Sequence, residues 1–168
     1  MFERLNTPEE AYNWKLGAAL KMEHTVLEKI LEDSIEESQD ARLEQLFRHH
    51  ADETRQQIRN LEQVFERFGW DVDDSPCPAI EAIHKEAKSN VKKTDDSIVD
   101  SIILSGALET EHHEIAVYED LIINARAMGR DDVVRLLQQN LEQEQHTLGE
   151  VMKSALKFAQ RDAAGSRR

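Results

Sequence analysis

The 168-residue sequence has little of what builds disulfide scaffolds, sheets or membrane spans. Cys77 is its only cysteine, so no internal disulfide can form. Three prolines and six glycines supply few turns, which favours long helices over many short strands. No apolar run approaches the roughly 18 residues of a bilayer span, and the first residues lack the basic start and apolar stretch of a signal peptide. We therefore expect a cytoplasmic protein without a membrane partner.

Basic residues are also scarce. The chain carries 21 Lys and Arg against 34 Asp and Glu, a formal net charge of −13. Phosphates repel such a surface, so we expect no nucleic-acid partner. The hydrophobic share of 39% is low, but it is too high for a disordered acidic chain. The length suits one domain, which we assign to residues 1–160, and we expect residues 161–168 to form a disordered tail.

Four long segments carry apolar residues at helical spacing. Asp40 is a good N-cap candidate for the second segment, and Asp131 or Asp132 for the fourth. Gly69 and Gly129 are typical residues for the ends of the second and third segments. The predicted helices span about residues 7–38, 40–69, 94–129 and 131–160.

The connections predict the fold. Short turns near Ser38 and Gly129 join the helices into two antiparallel hairpins, whereas Trp70–Lys93 is a long crossover with a shorter helix at about Ala79–Lys92. Two helical hairpins joined by one long crossover are typical of the all-α, ferritin-like four-helix bundle, which we therefore predict. Any other helical bundle with the same number of helices is the alternative.

Acidic residues interrupt all four apolar stripes. The acids at stripe positions are Glu23, Glu53, Glu111, Glu114 and Glu144. Glu23 and Glu53 lie about 15 residues on either side of the first turn, and Glu111 and Glu144 lie about 18 and 15 residues from the second. At 1.5 Å per residue the mismatch is roughly 4–5 Å, which a side chain can span. The sequence therefore predicts carboxylates from four helices at one level of the bundle.

Such a cluster needs positive charge. A buried carboxylate is costly, and five together could not all ionise. No Lys or Arg occupies these stripe positions, so a pair of bound cations is the natural counter-charge. Oxygen-rich ligands suit iron and manganese, and bundle-core di-iron sites use this type of ligand. The simpler interpretation leaves each acid at the edge of its stripe with the carboxylate in water, and the matching heights on four helices argue against it.

Four further residues are candidates for the neighbourhood of the metals. His50 lies on the second stripe, and Gln57 follows two turns later. His50 is a metal ligand, a residue that orients a ligand, or a hydrogen-bonded core histidine. His112 could orient a carboxylate. Tyr118, one turn after Glu114, is either plain core or a hydrogen-bond donor near the metals.

Two strings carry a family resemblance. Glu111-His-His-Glu-Ile-Ala-Val-Tyr118 is similar to E-H-Y-E-I-A-x-Y, and His50-Ala-Asp-Glu-Thr54 with Gln57 is similar to H-x-x-E-T-x-x-Q. Both motifs belong to the ferritin-like family typified by the bacterial stress proteins YciE and YciF, which the chain resembles over Leu16–Ala159. The resemblance implies a carboxylate-rich dinuclear site, often described as di-iron, a homodimer and a link to stress. The matching ligand positions are Glu23, Glu53, Glu111, Glu114 and Glu144.

The sequence departs from this pattern at a few positions. Leu148 stands where the family commonly has a further acid, and Leu20 stands where it has a tyrosine. Gln56 and Thr147 occupy the places where a Glu-x-x-His pair would put histidine. A histidine-poor site that is one acid short leaves both one ion and two ions open.

Three functions remain open from the sequence. In the first, two ferrous ions bridged by Glu53 and Glu144 react with O₂ or peroxide. In the second, the chain holds iron or manganese without catalysis, as a buffer or a stress-protective structural dimer. In the third, it is an interaction module without metal, whose buried acids are protonated or bridged by water.

Overall fold

The computed structural model describes residues 4–165, and every regular element in that range is helical. The first long helix consists of three consecutive parts, namely α1 (Pro8–Thr25), a π-helical turn (Val26–Ile30) and α2 (Leu31–Glu37). The later elements are α3 (Ala41–Phe68), α4 (Pro78–Lys92), a 3₁₀ turn (Asp96–Ile98), α5 (Val99–Ala127) and α6 (Asp131–Gly165).

Four long helices form a ring. The first helix packs against α3 and α5, and α6 packs against the same two helices. The first helix and α3 form one antiparallel hairpin, and α5 and α6 form the other. The segment between the two hairpins carries α4, which lies outside the ring against α5 and the first helix. The predicted all-α four-helix bundle with a long crossover is confirmed, and its connectivity is that of ferritin-like proteins.

The predicted helix ends are largely confirmed. Thr7 and Glu10 form a capping box at the start of α1, and Asp40 accepts a hydrogen bond of 2.9 Å from the Arg42 backbone at the start of α3. Gly69 and Gly129 have φ of 73° and 69°, the left-handed conformation that ends a helix at low cost for glycine.

Two helix starts differ from the prediction. Asp131 and Asp132 are not the N-cap of α6, because they already lie in its first turn and the Arg130 carbonyl accepts its first hydrogen bonds. The third helix begins with a 3₁₀ turn, whose cap is Asp95. The last residue of this turn, Ile98, stands at an apolar-stripe position of the sequence but is 41% exposed, because the tight turn rotates it away from the bundle.

The end of α6 also differs in detail. Met152 stands at an apolar-stripe position of the sequence but is 55% exposed, because Val151 already faces the core and the next residue is rotated by about 100°. The tail was expected to fray from Arg161, whereas residues 161–165 continue α6. Residues 166–168 of that predicted tail lie outside the described residues.

The crossover is held closely to the bundle. A Cβ at Gly17 would lie 2.6 Å from Ser75 Oγ, so only glycine lets the crossover pass here without a shift. Gly106 of α5 likewise lies close to Ala87 of α4, since a Cβ at Gly106 would lie 3.1 Å from the Ala87 Cβ. No helix among residues 4–165 is both long enough and apolar enough to span a membrane.

Candidate metal centre

Four buried side chains from three helices converge midway along the bundle. His50 lies on α3, Glu111 and Glu114 lie on α5, and Glu144 lies on α6. One ligand atom from each residue lies within 4.8 Å of all the others, and none of the four residues is more than 2% exposed. We call this group the core cluster.

Helical geometry explains why the core cluster forms. Glu111 and Glu114 are three residues apart, so both point from α5 toward the same side. The short turn at Gly129 brings α6 back beside α5, which places Glu144 against them. His50 enters from α3, with Nε2 at 3.2 Å from Glu111 Oε1 and 3.8 Å from Glu144 Oε2.

Most carboxylate oxygens of the core cluster lack a hydrogen-bond partner. Both oxygens of Glu114, both oxygens of Glu144 and one oxygen of Glu111 are buried without a hydrogen bond. Among residues 4–165 no Lys or Arg is buried, so His50 is the cationic group available to them inside the bundle. One imidazolium cannot offset this many carboxylates in a medium of low polarity.

The pKa values show the same imbalance. Burial raises the pKa of Glu114 well above its usual range, and the Glu144 and Glu23 carboxylates add to this. Burial likewise raises the pKa of Glu144 well above its usual range. Burial by itself would lower the pKa of His50, but the carboxylates of Glu111, Glu53 and Glu144 raise it well above its usual range. The buried carboxyl groups of Glu114 and Glu144 are therefore shifted toward their protonated forms.

Glu23 borders the core cluster from α1. Its Oε1 accepts a hydrogen bond from the Tyr118 hydroxyl, and its Oε2 is buried without a partner. Burial raises its pKa to about 7, although the bond from Tyr118 acts in the opposite direction. The π-helical turn begins three residues later, at Val26, and such turns often occur at functional sites.

Glu53 lies at the outer edge, on α3. Its side chain is 16% exposed, and its Oε2 lies 3.8 Å from His50 Nδ1 and 3.4 Å from the Thr147 hydroxyl. Its other oxygen lies 3.6 Å from His49 Nε2. The contact with His50, and to a lesser extent the nearby His49, holds the pKa of Glu53 below its usual value. Glu53 therefore lies at the edge of the core cluster, whereas Glu144 lies inside it.

The structure separates the two remaining candidates. Gln57 of α3 is fully buried, and both polar atoms of its side-chain amide lack a hydrogen-bond partner. His112 is exposed and lies outside the core cluster. It follows Glu111 directly, and a rotation of about 100° per residue turns it toward solvent when Glu111 faces inward.

A network of amides and hydroxyls, missed in the sequence, extends the site along the bundle. Asn140 donates to the Tyr118 hydroxyl at 3.0 Å and to the Gln57 carbonyl at 3.2 Å, and Asn60 donates to Asn140 at 2.7 Å. Thr147 lies 3.4 Å from His50 Nδ1. Asn140 and Thr147 lie one turn before and one turn after Glu144, so their spacing places them on the same side of α6 as Glu144. This spacing is the feature of the sequence that could have predicted them.

The residues present fit a hard or borderline metal ion. The core cluster offers carboxylate oxygens and one imidazole nitrogen, and no cysteine is part of it. Such donors suit iron and manganese, and they resemble the carboxylate-rich sites of ferritin-like bundles. The buried oxygens without hydrogen-bond partners are the positions that a cation would satisfy.

Comparisons with known proteins give this chain a family. Protein YciF of Escherichia coli is 32% identical over 108 residues, which cover 63% of this chain and 65% of YciF, just under two thirds of that relative. The solved structure of YciF, described as a stress protein, superposes with a TM-score of 0.86 at 25% identity, covering 93% of this chain and 99% of that one. YcfI from Rhodopseudomonas palustris superposes with a TM-score of 0.85 at 33% identity, covering 90% and 97%. The family described as a domain of unknown function, DUF892, matches residues 7–164, and this chain belongs to it.

Proposed function

We propose that this protein binds two metal ions in the core of the bundle, with iron as the native metal and manganese as its competitor. His50, Glu111, Glu114 and Glu144 provide the central ligands. Glu23 and Glu53 complete the site from opposite sides, Glu23 from α1 and Glu53 from the outer edge. In this proposal Glu144 would be a central ligand and Glu53 a peripheral one, since Glu144 is buried within the core cluster and Glu53 lies at its edge.

The observation that carries the proposal is the set of buried carboxylate oxygens without hydrogen-bond partners. A protein that only needed a stable bundle would gain from apolar residues at these positions, because unpaired buried charges are destabilising. The alternative of an interaction module without metal requires several protons to remain in the core at neutral pH. Bound cations remove that requirement.

The chain's residues prepare the site for chemistry with a small oxidant. Bound ferrous iron would supply the electrons for reducing O₂ or peroxide. The apolar helix faces around the core cluster keep bulk water out, and Tyr118 holds the Glu23 carboxylate in one orientation. We propose that this capacity serves stress protection in the cytoplasm, since the relative YciF is described as a stress protein.

A second candidate is metal holding without turnover. The core cluster contains one histidine, which leaves few strong nitrogen ligands to tune the metal. YcfI of R. palustris has been given a provisional structural role. A homodimer suits this function, and the exposed side chains of Met152 and Leu156 offer an apolar surface for pairing. Sedimentation analysis of the purified protein tests the dimer.

The first experiment measures metal stoichiometry. The full chain is purified without chelator, analysed for metals, stripped, and titrated anaerobically with ferrous iron and separately with Mn²⁺. We expect two equivalents for the wild type and loss of stoichiometric binding for the double variant Glu111→Gln/Glu144→Gln. The exposed Glu119 of α5 provides the control, since Glu119→Gln should bind as the wild type does. Wild-type protein without bound metal would refute the proposal.

The second experiment separates turnover from holding. Protein loaded anaerobically with ferrous iron is mixed with O₂ or peroxide, and ferric iron is followed by absorbance. Oxidation faster than in a protein-free solution supports a ferroxidase or peroxidase. Stable ferrous protein at full stoichiometry supports the buffer or structural function instead.

A further inference from the structure

An open groove between α3 and α6 leads from the surface toward the core cluster. Its α3 wall includes Glu53, Gln56 and Asn60, and its α6 wall includes Glu142, Gln143 and His146. We call it the α3–α6 groove. Every residue that lines it has a polar or charged side chain, and the lining contains two carboxylates and a histidine but no Lys or Arg.

Glu53 connects this groove to the buried ligands. Among the five predicted carboxylate ligands it is the one that keeps contact with solvent, since the other four are at most 2% exposed. Its Oε2 lies 3.8 Å from His50 Nδ1, and His50 Nε2 lies 3.2 Å from Glu111. The contacts from Glu53 to His50 and from His50 to Glu111 therefore connect the open groove with the buried core cluster.

Other grooves are less suited to a cation. In the groove between α2 and α4, the charge of Asp33 is paired with Lys88 at 2.9 Å, and Lys92 is a second cation of the lining. The groove beside Cys77 is mainly apolar, and the charge of its Asp120 is paired with Lys15 at 2.6 Å. An acidic surface groove near Asp74 lies against the first turns of α1, whereas Glu23 is near the end of that helix.

We propose that divalent metal ions reach the core cluster through the α3–α6 groove. This inference rests on the proposed function and adds its uptake route. Glu142 and His146, one turn apart on α6, attract the ion at the mouth of the groove. Glu53 receives it and transfers it inward by rotating its side chain toward His50, while the helix backbones keep their positions.

The test measures the rate of metal uptake separately from the final stoichiometry. Metal-free full-length protein is mixed anaerobically with Mn²⁺ in a stopped-flow instrument, and a chromophoric chelator reports the free ion. For Glu142→Gln/His146→Gln we expect uptake slower by about threefold to tenfold at low salt, because local negative charge raises association rates. The final stoichiometry should equal that of the wild type. High salt should reduce the difference.

The control is matched in residue type and spacing. His24 and Glu28 are also four residues apart, on the first helix and outside the groove, so His24→Gln/Glu28→Gln should leave the rate unchanged. Gln139→Trp adds a steric test, because Gln139 is exposed and lines the groove on α6. This bulky substitution should slow uptake even at high salt.

The outcomes separate the two proposals. Uptake at the wild-type rate by both groove variants, with normal stoichiometry, would overturn the route and leave the metal site intact. Slow uptake that the control variant shows equally would also overturn the route. Failure of the wild type to bind any metal would refute the proposed function and the route with it.

Discussion

Two hairpins contribute buried acids to the middle of the bundle, namely α1 with α3 and α5 with α6. The surroundings of these acids differ between the two hairpins. In the second hairpin both oxygens of Glu114 and of Glu144 are buried without a partner. In the first hairpin Glu23 accepts a hydrogen bond from Tyr118, and Glu53 contacts solvent, Thr147 and two histidines.

This difference shows that acids at similar positions of two helical hairpins can have different electrostatic environments. A carboxylate with a donor or with water nearby is tolerable without metal, whereas a dry one without a partner is not. We infer that the second hairpin provides most of the metal affinity. In the same proposal the first hairpin provides the ligand His50, the titrating carboxyl group of Glu23, and Glu53 as the entry point for metal ions.

The largest expected effect compares one ligand from each hairpin. Glu114→Gln should weaken metal binding by about 100-fold or more, since even substitutions around the ligands of a metal typically cost 10–100-fold. Glu53→Gln should weaken it by less than about tenfold, because Glu53 lies at the edge. Titration with a competing chelator measures both. Equal losses would contradict the asymmetry between the hairpins.

The same comparison extends to the metal-free protein. Burial raises the pKa of Glu114 well above its usual range, so folding must protonate this carboxyl group or bury its charge. Glu114→Gln avoids this cost, so the metal-free variant should be more stable than the metal-free wild type in denaturant titrations. Glu53→Gln should leave this stability nearly unchanged. Destabilisation of metal-free Glu114→Gln would mean that the carboxylate has a partner within the protein itself.

Metal removal should have the next largest effect. At a metal concentration of 100 times the Kd, binding stabilises the folded state by about 2.7 kcal/mol. For a chain of this length that corresponds to a fall in Tm of about 5–10 °C on adding chelator. Scanning calorimetry measures the shift, which Glu114→Gln should abolish and Glu53→Gln should largely retain. A Tm independent of chelator in the wild type would mean that cations do not neutralise the core.

The pH dependence should be smaller and specific to the metal-free state. Burial raises the pKa of Glu23 to about 7, so the folded state binds more protons than the unfolded state between about pH 4.5 and 7. The raised pKa of His50 acts in the same direction, because its protonated form stabilises the fold and is lost as pH rises. Unfolding of metal-free protein should therefore be easier at pH 8 than at pH 5.5, by on the order of 2 kcal/mol.

Bound metal should reverse this trend, because protons compete with cations for the same oxygens. Denaturant titrations across this pH range, with chelator and with Mn²⁺, check both signs. Metal-free protein that becomes more stable as pH rises would show that the buried acids are ionised and compensated in another way.

The sequence could predict the helices because their ends have local signals. Thr7, Asp40 and Gly69 supply caps and a left-handed turn whose chemistry does not depend on distant residues. The π-helical turn after Thr25 has no such signal, since it depends on how the first helix packs. The rotation of α6 that exposes Met152 is likewise set by tertiary contacts.

The candidate site was only partly predictable for a related reason. Periodicity indicates that His50 and Glu53 share one side of α3, but residues three apart differ by about 60° around a helix. Which of them faces the centre depends on the rotation and tilt of α3 in the bundle. The sequence therefore favoured Glu53 as a bridging ligand, whereas the structure places His50 inside and Glu53 at the edge.

The smallest expected effect concerns the hydrogen bond that distinguishes Glu23 from the acids of the second hairpin. Tyr118→Phe removes the donor, so the Glu23 carboxylate becomes as isolated as that of Glu114, and its pKa should rise above about 7. The loss of one such bond is worth about 1 kcal/mol. Carbon-13 NMR of labelled glutamate in the metal-free protein measures the titration of Glu23.

A matched control for Tyr118→Phe exists in the other tyrosine of the chain. Tyr12 is buried and its hydroxyl has no hydrogen-bond partner, so Tyr12→Phe removes the same atom without removing a bond to any acid. An upward shift in Tyr118→Phe that is absent in Tyr12→Phe would place the difference between the hairpins in this single contact. An unchanged Glu23 titration in both variants would mean that burial alone sets the pKa of Glu23, and the two hairpins would then differ only through the exposure of Glu53.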